Sequence, residues 1–125
     1  MKAVVSVLCY YADWPTRNQI EALNLQGLDG CGAVPSFDPS NPLERSISYY
    51  DAMNFAPQVR AATLMAGCLC DIPSPPSTVH AVYRRLGTAA KELHWSPGTN
   101  HELMLAFEHL AWRWLDRQLG LPAPR

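Results

Sequence analysis

The sequence has no long apolar run, no cationic cluster and no regular cysteine spacing, and each absence removes a class of function. No stretch approaches the roughly 20 apolar residues that cross a bilayer, so no membrane partner is expected. Lys2 and the apolar stretch Ala3 to Ala12 faintly suggest a signal peptide. Ser6, Tyr10 and Tyr11 dilute that stretch, however, and Asp13-Trp14-Pro15 is a poor cleavage region, so a buried strand is the better reading. No basic run exceeds Arg84-Arg85 and the net charge is −1, so no nucleic-acid partner is expected. Cys68 and Cys70 are two positions apart, which breaks the C-x-x-C spacing of zinc and redox sites, and no metal is expected. Cys9, Cys68 and Cys70 lie in apolar runs as buried thiols and Cys31 lies in a loop. That usage fits a reducing, cytoplasmic compartment.

The chain has 125 residues, 48% hydrophobic and 17% charged, which suits one globular domain with a modest core. Eleven prolines concentrate over Pro35 to Pro42 and Pro73 to Pro76, so both stretches read as stiff loops. Ala3 to Cys9 is a short β-branched run without alternation, as in a strand covered on both faces. A short helix is expected over Thr16 to Leu25, and residues 27–45 read as loop. Ser46 to Phe55 suits a helical turn or an extended lead-in equally. Ala62 to Leu69 is a second buried strand, ending just before Asp71.

Beyond that strand a helix has both ends marked. Ser74 can cap it, with Pro75 at the first helical position. Val79, Val82, Tyr83 and Leu86 make its apolar face, and Gly87 supplies a left-handed stop. Glu92 to Trp95 is a third strand, followed by a Ser96-Pro97-Gly98 turn and His101. A C-terminal helix over 102–119 puts Leu103, Phe107, Leu110, Ala111, Trp114 and Leu115 on its inner face, and Gly120-Leu121-Pro122 ends it. The order of apolar strands and helices is an α/β pattern with about three mainly parallel strands.

Reactive groups in parallel α/β sheets gather beyond the C-terminal strand ends. Asp71 follows one such end and His101 follows the next, 30 positions later, in the acid-before-base order of a Ser…Asp…His triad. A carboxylate there accepts the imidazole Nδ1–H, fixes its tautomer and stabilises the imidazolium formed when a serine loses its proton. Taken alone, the pair has a plainer reading: Asp caps turns and helices, and a loop His is often only solvated.

The surrounding residues add to this. SYYDAMNFAPQVRAATLM, then D-I-P-S-P-P-S-T-V-H-A-V-Y, then K-E-L and N-H-E, resemble the cephalosporin C deacetylase and acetyl xylan esterase family. Its members show a Y-[FY]-D-x-x-N-[FL]-A stretch, a strand ending in Asp, a P-P-S-T-V helix start, a K-E-L strand and G-H-E. The resemblance runs from about Ser46 to Leu119 and extends less clearly to Val4–Arg17. It implies the C-terminal portion of an α/β-hydrolase fold, with Asp71 as triad acid and His101 as triad base. Pro75, Pro76, Ser77 and Thr78 would start the helix that steadies the Asp71 loop, and Glu102 would sit in the first turn of the last helix. Ser74 stands where the family has Cys or Thr. Asn100 stands where it has Gly, which could strain the loop bearing the base.

No G-x-S-x-G occurs in these 125 residues, and Gly30-Cys31-Gly32 has neither the serine nor the spacing. The resemblance places the nucleophile and oxyanion donors ahead of Val4, so residues 1–125 are expected to form a single partial domain without its nucleophile half. Its substrate, once completed, would be an acetylated sugar or small acetyl ester, with no cofactor. Tyr10, Tyr11, Trp14 and Phe55 are candidates for the substrate pocket, although aromatic residues near strand ends also serve as core. The alternative is an inactive α/β remnant that binds or oligomerises. In either case an open sheet edge is expected to meet a second copy or a partner chain.

Overall fold

The computed structural model describes residues 2–7, 12–13, 38, 40–102 and 105–122. Three strands form one sheet in the order β1-β2-β3, with β1 at Ala3–Val7, β2 at Ala62–Cys68 and β3 at Lys91–Ser96. Both pairings are parallel. Ala3 faces Ala62 across the first, and Cys68 faces Ser96 at the far end of the second. The helix expected over Thr16 to Leu25 lies outside the described residues.

The helices are α1 (Pro42–Ser48), α2 (Ala52–Phe55), a 3-10 turn at Ala56–Gln58, α3 (Pro76–Arg85) and α4 (Leu105–Leu119). Within the expected loop 27–45, Pro42 to Arg45 are helical, and residues 27–37 and 39 lie outside the described residues. Pro42 opens α1, where its missing N–H costs nothing, and the carbonyl of Asn41 accepts the Arg45 N–H. Over Ser46 to Phe55 the helical alternative holds, in two pieces. Asp51 separates them and caps α2, accepting the Met53 N–H at 2.8 Å. The Asp of the Y-Y-D stretch is thus a helix cap.

β2 is buried on both faces, and two cores result. On one face Met65 packs with Val79, Val82 and Leu86 of the α3 segment, joined by Leu93 and Trp95. On the other, Leu64 and Ala66 meet Phe107, Ala111 and Trp114 of α4. Gly67 lets Trp95 lie across β2, because a Cβ there would stand 2.6 Å from the indole and 3.2 Å from Val79. Gly67→Ala is expected to cost about 1–3 kcal/mol, as overpacking does. Urea denaturation checks this, and an unchanged midpoint would show that Trp95 moves aside freely.

Both expected caps of α3 differ from the sequence reading. The helix begins one residue later, with Pro75 at the cap and Pro76 at the first position, because Ser74 is fully buried against Asp71. Gly87 has no left-handed φ, and Leu86 before it is extended (φ −52°, ψ 126°). Lys91 does the capping instead: its Nζ donates to the carbonyls of Tyr83, Arg84 and Leu86 at 2.9, 3.2 and 3.3 Å. Gly87 is needed for space, since a Cβ there would lie 2.1 Å from the Pro57 carbonyl oxygen.

Glu102 is not helical, so it is not a first-turn residue; Leu103 lies outside the described residues, and α4 is described from Leu105. Its C-terminus matches the expectation. Gly120 is left-handed (φ 72°) and the Leu121 N–H reaches back to Asp116 O at 2.9 Å. Among the described cysteines, Cys68 is buried as expected but Cys70 is exposed, because β2 has ended two residues before it.

Candidate active site

Past Cys68 the chain turns through Leu69 and Cys70 to Asp71, whose carboxylate is wholly buried. The Ser74 N–H donates to Asp71 Oδ1 at 2.7 Å, so the carboxylate does cap its own loop. It also meets His101, with Nδ1 at 3.0 Å from Oδ2 and 3.2 Å from Oδ1. A carboxylate only accepts, so Nδ1–H is the donor, which in the neutral ring leaves the lone pair on Nε2. The imidazole is 38% exposed while its partner is at 0%, which leaves the ring reachable from solvent and the acid sheltered.

The two loops are laced together. The Leu69 N–H donates to Ser96 O at 3.1 Å, and the Cys70 N–H to Thr99 O at 3.0 Å. Gly98 takes the left-handed φ of 71° that turns the chain after β3. Asn100 does not strain the loop that bears His101. The one described non-glycine residue with positive φ is Asp13, and the Asn100 side chain accepts the His101 N–H at 2.9 Å. A cleft of about 440 Å³, lined by Ile72, Pro73, Asn100, His101 and Glu102, opens at the pair.

Phe55 is elsewhere. It is half exposed and lines an apolar hollow of about 650 Å³ with Val4, Val59, Thr63 and Met65. From Thr63 to Cys68 β2 advances five residues, about 16 Å at strand rise, so this hollow lies toward the other end of the sheet. The fold therefore does not bring Phe55 to the Asp71–His101 pair. Tyr10, Tyr11 and Trp14 lie outside the described residues. No group of side chains suited to a metal occurs among the described residues.

Sequence reasoning missed the supports of the site. Ser74 serves Asp71 through its backbone, and Cys68 donates its thiol to Glu102 O at 3.4 Å across 34 positions. Neither contact has a sequence signal. The K-E-L strand did have one: Lys91 caps α3, and Glu92 accepts the Trp114 Nε1–H at 2.7 Å, tying α4 to the opposite face.

A parallel sheet with helices on both faces, and a carboxylate paired with an imidazole beyond successive strand ends, is the arrangement of the α/β-hydrolase class. The chain belongs to the acetyl xylan esterase family, whose model (Acetyl xylan esterase, AXE1) matches residues 35–118. It is similar to acetyl xylan esterase 1 from Thermoanaerobacterium sp. JW/SL YS485, at 25% identity and a TM-score of 0.72 over 94% of this chain and 38% of that one. It is likewise similar to an acetyl xylan esterase from Paenibacillus sp. R4, at 27% identity and a TM-score of 0.73 over 93% and 37%. A monoacylglycerol lipase of Paleococcus ferrophilus shares the fold alone, at 17% identity and a TM-score of 0.52 over 78% of this chain and 40% of that one. The chain thus spans well under half the length of these esterases.

Proposed function

We propose that this chain supplies the acid and base of an acetyl-ester hydrolase, with Asp71 orienting His101 and the nucleophilic serine coming from outside these 125 residues. The observation that carries the reading is the buried Asp71 carboxylate on Nδ1 of a solvent-reachable His101. In that arrangement Nε2 takes the proton of the attacking serine, then returns it to the leaving alcohol, while Asp71 stays ionised and stabilises the imidazolium. The Ser74 N–H keeps one carboxylate oxygen in place throughout. The similarity to acetyl xylan esterases supports acetylated carbohydrate as the substrate class, and the family resemblance extends it to small acetyl esters such as cephalosporin C.

In this reading the serine-bearing part would dock along β1. Among the described residues no strand pairs with the outer side of β1, which carries no charge from Ala3 to Val7. The hollow beside Phe55 opens on one face of β1. On the other, a hollow of about 260 Å³ is lined by Val5, Val7, Phe107 and Trp112. The opposite edge, β3, begins Lys91-Glu92, and such charges discourage strand pairing. A strand added to β1 in parallel would end at the same sheet edge as Asp71 and His101.

The purified chain alone is expected to hydrolyse p-nitrophenyl acetate no faster than its His101→Ala variant, since a missing nucleophile and oxyanion hole leave little rate. Co-production with the part of the Paenibacillus esterase that precedes the matching region is expected to restore turnover. A rate in the isolated chain that disappears in His101→Ala would instead locate a nucleophile within these residues and sink the proposal.

A further inference from the structure

We infer that Cys68 is a positioning residue for the His101–Asp71 pair, holding the backbone behind the imidazole while Asp71 holds the ring. The inference rests on the acid–base reading above. Cys68 is the last residue of β2 and faces Ser96 of β3, so it stands where the acid-bearing and base-bearing loops diverge. Its side chain is buried at 3% exposure, and its Sγ lies 3.4 Å from the carbonyl oxygen of Glu102, the residue after His101. The carbonyl has no hydrogen to give, so the thiol donates. On its other side the Glu102 N–H donates to Asn100 O at 2.8 Å, closing a tight turn around His101.

Among the described residues, Asp71 and Cys68 are the two side chains that hydrogen-bond to 99–102 from elsewhere in the chain. The Cys70–Thr99 backbone bond holds the loop before His101, and the Asp71 carboxylate holds the ring. The Cys68 thiol adds an attachment on the far side of His101, one residue further on. It is also the last described attachment before α4, since the Cys70–Thr99 backbone bond lies two residues before His101. A donor at position 68 therefore helps to keep Nδ1 on the carboxylate.

The test uses the chain as it is, labelled with ¹⁵N-histidine, and reads the ring nitrogens of His101 by NMR at neutral pH. Their shifts distinguish the Nδ1–H from the Nε2–H tautomer. The native chain is expected to hold the Nδ1–H form, and Asp71→Asn to lose it. Cys68→Ala is expected to lower the Nδ1–H to Nε2–H ratio roughly threefold or more, as loss of one modest hydrogen bond allows. Cys68→Ser, which keeps a donor, is expected to retain the native ratio. If Cys68→Ala does not fold, Cys68→Val removes the donor with the volume largely kept. A native ratio in a folded variant without a donor overturns the inference and leaves the acid–base reading intact. Absence of the Nδ1–H form in the native chain overturns that reading, and the inference with it.

Discussion

Joined in one polypeptide behind the serine-bearing part of an acetyl xylan esterase, this chain is expected to lose about 10⁴-fold in kcat when Asp71 becomes Asn. The cause is the tautomer. An amide at position 71 can offer its N–H₂ to Nδ1, which puts the ring hydrogen on Nε2 and leaves no lone pair for the serine proton. His101→Ala removes the base itself and is expected to cost about 10⁴–10⁶-fold, with the residual rate coming from substrate binding and the oxyanion hole. Neither side chain is asked to bind ground-state substrate, so KM should change little. Steady-state kinetics on an acetyl ester measure this. A loss below tenfold in either variant, with the protein folded, would show that the 3.0 Å contact between the two residues is only structural.

Trp114→Ala is expected to remove about 3–5 kcal/mol of stability, as truncating a buried aromatic residue does. Trp114 is 1% exposed and sits among Leu64, Ala66, Phe107 and Ala111, the core that holds α4 on the sheet. Domains of this size have about 5–15 kcal/mol in total, so the variant should be near its folding limit at 37 °C. Trp114→Phe separates the two contributions. It keeps most of the apolar volume and loses the 2.7 Å bond to Glu92, for about 1 kcal/mol. Urea titration followed by circular dichroism reads both. A Trp114→Ala midpoint close to the parent's would mean that α4 is not seated through this residue.

How far the sequence disclosed the molecule depended on how local each cause was. β2 and α4 were legible because their side chains state their surroundings: an unbroken apolar run, and a 3.6-residue stripe ending at Gly120. The caps of α3 were misread because the deciding partners are remote. Asp71 occupies the Ser74 amide, and Lys91 satisfies carbonyls that a glycine turn would otherwise serve. Glycines misled for a related reason. Gly87 looked like a turn residue, yet what excludes a side chain there is the Pro57 carbonyl, 30 positions earlier in the chain. At the site, Asp71 and His101 could be paired from their order along the chain and from the family's motifs. The thiol behind His101 could not, because nothing in a cysteine's neighbours announces a carbonyl 34 positions away.

Lys91 and Glu92 are adjacent on a strand, so they point to opposite sides of the sheet, one bonded to the end of α3 and the other to Trp114 of α4. Together they fix the register of β3. If β3 slipped by one residue against β2, each charge would turn toward the wrong helix, leaving the α3 carbonyls without their ammonium and Trp114 without its acceptor. The same slip would carry the loop after Ser96 along by about 3.3 Å, enough to take Nδ1 of His101 out of hydrogen-bond range of Asp71. The dipeptide that opens the strand thus works as a gauge, setting at one end of β3 the alignment that the contact between Asp71 and His101 requires at the other.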